Sequence, residues 1–383
     1  MTQSHTGRLT WSAFAGMAVF GFAAAVTGAI LPRYENLGLG QAGNLFFVLA
    51  LAMLASMLVL GPVIDRFGKK PPLVAGAVLV SVALVLMANA AGYSALLVSV
   101  ALLGFGGSAL NGGSNTLIAD LHEDPARKGS ALNLLGVFFG FGALVIPFTI
   151  GALVDTLGLA VVLYLPAAFT AGVALLFAAL PFPPPRHAKG VPLAQTLKLL
   201  RNPLVLLFAF TLFCQSGNEF VFAGYFSSYM TREMHVPIST ASYILAAFWA
   251  TIMLARVIAS RVLLRAPGSA VVLVSAAGTA AGLGLLAVAP SSGVAIAAIL
   301  LTGFATSSVY PTVLGLAGAA FAEYSGTVFG ILFSIALVGG MLVPWAVGHF
   351  AEANGLRAGL MLPLAGAAGI FILQAAAGRV KKA

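Results

Sequence analysis

Residues 134–159 read LLGVFFGFGALVIPFTIGALVDTLGL, and residues 331–356 read ILFSIALVGGMLVPWAVGHFAEANGL. Both are long apolar runs with a proline near the middle and an acid followed by Gly-Leu at the end. Laid side by side, Gly142 meets Gly339, Pro147 meets Pro344, Gly151 meets Gly348, Asp155 meets Glu352, and Gly158-Leu159 meets Gly355-Leu356. Runs of about 20 apolar residues span a hydrocarbon core of ~30 Å when coiled as helix. Helix is the only regular choice here, because backbone facing lipid must satisfy its own hydrogen bonds. The pairing therefore predicts one membrane-crossing helix present twice.

Outward from this pair, the rest of the chain fits the same pattern. Of its 383 residues, 60% are hydrophobic and 8% charged, against about a quarter charged in a soluble domain. Twelve apolar runs are legible: 11–31, 42–64, 72–90, 94–118, 130–153, 159–181, 203–229, 239–262, 269–289, 292–319, 326–350 and 357–377. The alternating ten-residue segments of an outer-membrane barrel are absent. The first run has no small-residue cleavage site and reads as a retained span, not a leader. The longest polar interval, Pro181–Asn202, reads PFPPPRHAKGVPLAQTLKLLRN; its prolines stop the sixth helix. The expected fold is thus an all-α membrane protein of twelve transmembrane helices. Residues 1–181 form one six-helix bundle, 182–202 a linker, and 203–383 a second bundle. The repeat extends upstream, with GFGGSALN at 104–111 opposite GFATSSVY at 303–310, which sets Asn111 against Tyr310. A six-span unit repeated in parallel predicts a binding site at mid-membrane between halves that rock to expose each side in turn.

The net charge of +9 is orientation rather than a nucleic-acid footprint. With the N-terminus inside, Arg8, Arg66, Lys69, Lys70, Arg127, Lys128, Arg186, Lys189, Lys198, Arg201, Arg261, Arg265, Arg379, Lys381 and Lys382 all fall on the inner side. Only Arg33, Arg232 and Arg357 fall outside. The positive-inside rule then places both termini in the cytoplasm of a plasma membrane, here a bacterial inner membrane, with the basic loops against anionic lipid. The partners expected are a lipid bilayer and a small-molecule substrate, with no nucleic acid, and the chain is expected to act as a monomer. Cys214 is the single cysteine, so no internal disulfide exists. No HExxH, nucleophile elbow or metal-ligand spacing occurs, so neither an enzyme nor a metal or cofactor is expected.

Between the second and third runs the chain reads Gly61-Pro-Val-Ile-Asp65-Arg66-Phe-Gly68-Lys69-Lys70. This G-x-x-x-D-R-x-G-K-K loop resembles the signature of the major facilitator superfamily. Gly61 is expected to permit close helix approach and Gly68 a tight turn. The resemblance implies that Asp65 joins a charge network that latches one conformational state. Asp120, at the end of the fourth run, is the expected partner of Arg66. Within that superfamily, GFGGSALNGGSNTLIADL at 104–121 and Gly217-Asn218-Glu219-Phe220 with Tyr225 and Tyr229 resemble the fucose/glucose–proton symporter group. The chain departs from it in having no acid in the first span and Asn111 where the fourth span can carry one.

Glu219 is an acid within an apolar run, and a carboxylate in hydrocarbon is costly unless protonated, paired or hydrated. It is the expected proton-coupling residue. Gln215 lies one turn before it, and Gly217 and Gly224 flank it. In the fourth span, Ser108, Asn111 and Asn115 share a face by their three- and four-residue steps, and the two amides could bond substrate hydroxyls or tie helices together. The expected substrate contacts are Asn111, Asn115, Gln215, Asn218, Tyr225, Tyr310 and Trp249. Arg256, near the end of the eighth span, either snorkels to the inner surface or binds an anion, as the resemblance to monocarboxylate transporters of the same superfamily implies. His349 reads as a packing or interfacial histidine. These residues point to alternating-access transport, a proton-coupled symport of a small neutral polar solute such as a sugar, with sodium as the other candidate coupling ion. The alternatives are an organic-anion carrier using Arg256 and a multidrug efflux carrier.

Overall fold

The structure, a computed structural model, describes residues 3–34, 36–121, 125–183, 198–321 and 325–380. The linker segment 184–197, with Arg186 and Lys189, lies outside the described residues, as do Lys381 and Lys382. Among the described residues all regular structure is helical. The helices are α1 (Gln3–Ile30), α2 (Leu39–Phe67), α3 (Lys70–Ala88), α4 (Tyr93–Leu121), α5 (Pro125–Ala179), α6 (Pro203–Arg232) and α7 (Ile238–Val262), followed by α8 (Gly268–Ala287), α9 (Ser292–Thr306), α10 (Val309–Ala320), α11 (Ser325–Asn354), α12 (Leu356–Gly359) and α13 (Leu362–Val380). Among the described residues, eleven helical stretches are long and apolar enough to cross a membrane. One of them, Leu134–Ala179, is 46 residues long and breaks at Gly158, where φ is 75° and ψ 158°. A right-handed helix cannot pass through that conformation, so α5 supplies the fifth and sixth crossings in succession and the expected twelve are present.

The chain divides into two compact units, the first made of Met1–Arg33, Val48–Ala188 and Ile238–Ala246, the second of Tyr34–Phe47, Lys189–Pro237 and Ala247–Ala383. In the first, α1 lies along α5 with backbone nearly touching backbone. A methyl carbon built on Gly142 would sit 2.0 Å from the carbonyl oxygen of Ala18, and one on Gly21 would sit 2.2 Å from that of Phe139. In the second unit, α6 lies along α11 in the same way. A methyl on Gly339 would sit 2.0 Å from the carbonyl oxygen of Phe213, and one on Gly217 2.5 Å from Val343. Glycine here removes the side chain that would hold two helices apart, the usual device where lipid gives no hydrophobic force between helices. Gly142 and Gly339 are the residues paired by the repeat. So are Gly158 and Gly355, whose φ of 75° and 85° turn the chain at equivalent places in open space.

The two copies differ at the helix before this seam. In the first unit α4 runs unbroken for 29 residues. Its counterpart in the second is split into α9 and α10, with Ser307 and Ser308 as the turn between them. Pro311 explains the break. It has no N–H to offer the carbonyl four residues earlier, that of Ser307, and its ring crowds that same carbonyl.

The α2–α3 loop is a turn through Gly68, whose φ is 80°, as expected. Two other expectations for this loop are corrected. Gly61 has nothing within 4 Å of a built methyl carbon: it faces open space and brings no helix close. Asp120 pairs with Lys69 rather than Arg66. Lys69 opens α3, where its short distance from the end of α4 favours it, while Lys70 donates to the carbonyl of Leu180 at 3.1 Å. Asp65 and Arg66 are exposed, and the Arg66 guanidinium sits 5.2 Å from the Phe67 ring centroid. At the other end of the first unit, Arg33 pairs with Asp155 at 2.8 Å.

Candidate functional site

In the second unit, Glu219 stands near the middle of α6, on the face turned to the α9–α10 break. Roughly 24 Å of helix separates it from the start of α6 and roughly 20 Å from the end, at 1.5 Å per residue. Its side chain is densely surrounded by protein yet remains partly accessible to solvent. Gln215 lies one turn earlier on the same helix, and the guanidinium of Arg256 from α7 acts on the carboxyl group through its charge. Tyr310, two residues past the break, feels the charge of Glu219. The carboxyl and guanidinium do not close a contact: the ion pairs within 4.0 Å among the described residues are Arg33–Asp155 and Lys69–Asp120.

The broken helix organises this cluster. Gln215 is buried, and its amide nitrogen donates to the Thr306 carbonyl at 3.2 Å and to the Thr306 hydroxyl at 3.0 Å. Arg256 donates from Nε to the Ser307 carbonyl at 3.3 Å. The hydroxyls of Ser275 on α8 and Ser308 are 2.8 Å apart. Carbonyls that a continuous helix would satisfy internally are thus taken by side chains from α6 and α7. The Arg256 guanidinium is thus held by backbone at the break. Phe333 of α11 stacks parallel to Tyr310, with centroids 6.2 Å apart.

Four of the expected residues, Gln215, Glu219, Arg256 and Tyr310, therefore come together. Asn218 does not join them. It is 1% exposed and donates to the Pro363 carbonyl at 3.1 Å, with Gly366 of α13 leaving room for its amide. Tyr225 is fully buried and donates to the Pro344 carbonyl at 3.1 Å. Trp249 is buried against Phe248, with centroids 5.7 Å apart. Asn218 and Tyr225 thus tie α6 to neighbouring helices. In the first unit, Asn111 and Asn115 are both partly accessible and face one another, the Asn115 amide donating to the Asn111 side-chain oxygen at 2.9 Å. His349 is exposed and bonds its own helix at the Trp345 carbonyl, as an interfacial histidine would. The residues that sequence reasoning missed are Thr306, Ser307 and Pro311. Their signal was available as a proline inside an apolar run, four residues after a serine.

The helix count, the duplication and the α2–α3 loop define a membrane carrier built from two repeated bundles. A model of the Major Facilitator Superfamily matches residues 13–218, more than half of the chain, and the protein belongs to that family as a secondary transporter. A "Protein TsgA homolog" from Yersinia pseudotuberculosis serotype O:1b (strain IP 31758) is 24% identical over 393 aligned positions, covering 99% of this chain and 97% of that one. Among solved structures, a D-xylose-proton symporter superposes with a TM-score of 0.81 at 14% identity, covering 97% of each chain. The nucleoside transporter NupG gives 0.74 at 16% identity over 99% of each chain. The E. coli fucose:proton symporter gives 0.67 at 17% identity, over 96% of this chain and 98% of its own. At these identities the structural likenesses show the fold.

Proposed function

We propose that the protein is a proton-coupled symporter of a small, neutral, hydroxyl-bearing solute such as a sugar, and that Glu219 carries the proton. The observation that supports this most is the state of Glu219: a carboxyl group mid-way along a membrane helix, partly accessible, with a cation nearby that does not pair with it. A sealed ion pair would hold a permanent charge, whereas an unpaired, accessible carboxyl can gain and lose a proton as its surroundings change. Tyr310 and Gln215 supply hydroxyl and amide groups beside the carboxyl, and the Asn111–Asn115 pair offers a further polar face. The family likeness to symporters of xylose and fucose agrees with this substrate class. The excess of basic residues in the loops on one side supports an orientation with both termini in the cytoplasm of a bacterial inner membrane.

Uptake of radiolabelled hexoses and pentoses into proteoliposomes, with and without an inward proton gradient, tests the reading. Gradient-driven accumulation of at least one sugar is expected, and Glu219→Gln is expected to abolish accumulation while leaving counterflow exchange. Gradient-insensitive uptake, or no uptake of any sugar, overturns it. One observation favours an organic-anion substrate instead: Arg256 is partly accessible and commits its Nε to the protein, leaving its terminal amino groups to meet a carboxylate. Arg256→Lys separates the two. An ammonium does not reproduce the bidentate fork, so anion uptake would collapse while sugar uptake would persist.

A further inference from the structure

The reach of Arg256 towards the broken helix has a consequence for Glu219. Arg256 has two claimants. One is the carboxyl group of Glu219 on α6, which acts on it through charge. The other is the Ser307 carbonyl, to which its Nε donates at 3.3 Å. That carbonyl is available because of residue 311. In an unbroken helix the Ser307 oxygen would accept the N–H of residue 311, which is a proline. The first unit provides the contrast: its copy of this helix, α4, has no proline and no break.

We propose that Pro311 is a positioning residue for Glu219. By leaving the Ser307 carbonyl without a helical donor, it anchors the Nε edge of the Arg256 guanidinium on backbone and holds the terminal amino groups, free to meet a substrate, away from the Glu219 carboxyl. The carboxyl is thereby kept free to take up a proton. Without the anchor, two opposite charges in a site of low dielectric would collapse into contact, since their attraction grows as the surroundings become less polar. The inference rests on the reading of Glu219 as the proton carrier, and it names the residue that makes the carboxyl fit for that role.

The charged and titratable groups around Glu219 are few, which makes the effect readable. The helices packed most extensively on α6 are α9, α10, α11 and α13; α8, without titratable groups, accepts from Tyr229 at the Leu286 carbonyl, and Arg357 of α12 lies 6.0 Å from the Tyr229 ring centroid. Of these, α9 carries no titratable side chain and α10 carries Tyr310 alone. α11 holds His349 and Glu352 in its final turns, and α13 holds Arg379 at its end. From α7, which brings Arg256, the other charged group is Arg261, a further turn along. On α6 itself, Cys214, Tyr225 and Tyr229 are the titratable neighbours, with Arg232 at the end.

The test reads the carboxyl group directly and needs no substrate. Infrared difference spectra of the purified full-length protein in lipid vesicles are titrated with pH, and the Glu219 band is assigned by its loss in Glu219→Gln. Pro311→Ala restores the N–H and closes the turn, freeing Arg256. The midpoint of the Glu219 band is expected to fall by about one pH unit, a tenfold weaker hold on the proton. Adding Arg256→Gln to Pro311→Ala is expected to abolish that fall. An unchanged or raised midpoint in Pro311→Ala overturns the proposal, and so does a fall that persists once Arg256 is gone. Should Pro311→Ala not yield folded protein by thermal unfolding, Pro311→Ser supplies the same N–H and is read in the same way. These outcomes are independent of the uptake assay: a midpoint that ignores Pro311 removes the positioning role and leaves gradient-driven transport through Glu219 standing, while loss of gradient dependence removes the symport reading whatever the band does.

Discussion

Gly339 offers the sharpest test of how these helices are held. A methyl group placed on it would lie 2.0 Å from the carbonyl oxygen of Phe213, 2.7 Å from the carbonyl carbon and 2.9 Å from the Cα. All three are backbone atoms, so no rotamer change relieves the clash. A side-chain carbon does not approach closer than 3.0 Å, so α6 and α11 must part by about 1 Å at this point. A gap of that size forfeits up to about half of the dispersion energy of each contact along the seam. Overpacking costs about 1–3 kcal/mol in general, and a clash with backbone belongs at the upper end, about 3 kcal/mol. Gly330 is the internal control. It lies on the same helix, has nothing within 4 Å of a built methyl, and should gain up to about 1 kcal/mol from alanine's better helix propensity. The same substitution on one helix should therefore act with opposite sign at two positions. Thermal unfolding of the purified protein in detergent reads both: Gly339→Ala should lower the Tm, and Gly330→Ala should hold or raise it. If Gly339→Ala melts at or above Gly330→Ala, the account of the seam as backbone against backbone is wrong. Gly142→Ala, against the Ala18 carbonyl at 2.0 Å, should repeat the loss in the first unit.

Two further predictions concern the connections. Gly158 and Gly355 have φ of 75° and 85° with ψ of 158° and 154°, a region open to glycine alone. Alanine at either should cost about 1–3 kcal/mol in thermal unfolding although nothing touches the new methyl group. Lys69→Met should cost about 1–3 kcal/mol by leaving the half-buried Asp120 without its partner. The Lys69→Met/Asp120→Asn double variant should recover part of that loss, and Arg66→Ala should be close to neutral in the same measurement.

Much of this architecture could be read from the residues because membrane helices announce themselves by length and apolarity. The paired glycines did so as well. Gly142 and Gly339, and Gly158 and Gly355, recur in the repeat because each solves the same local problem twice, once a close approach and once a turn. Side-chain partners were less legible. Asp120 could have paired with either of two neighbouring cations, and only the path of the chain into α3 selects Lys69 over Arg66. Gly61 shares its composition with the seam glycines but not their surroundings, since close approach depends on the neighbouring helix and not on the glycine. On α6, Gln215, Asn218 and Glu219 lie within about five residues, yet the turn of about 100° per residue sends Asn218 towards α13 and the other two towards the break. The break itself was written in Pro311, in plain view inside a run whose overall apolarity masked it.

That break also changes the mechanics of the tenth crossing. A helix resists bending because every turn is tied to the next, and compliance concentrates where a tie is missing. The crossing is therefore one span weakened at Ser307 and Ser308, where it can bend. Torque applied to one end is absorbed at the knuckle, and the knuckle is where Gln215 and Arg256 grip.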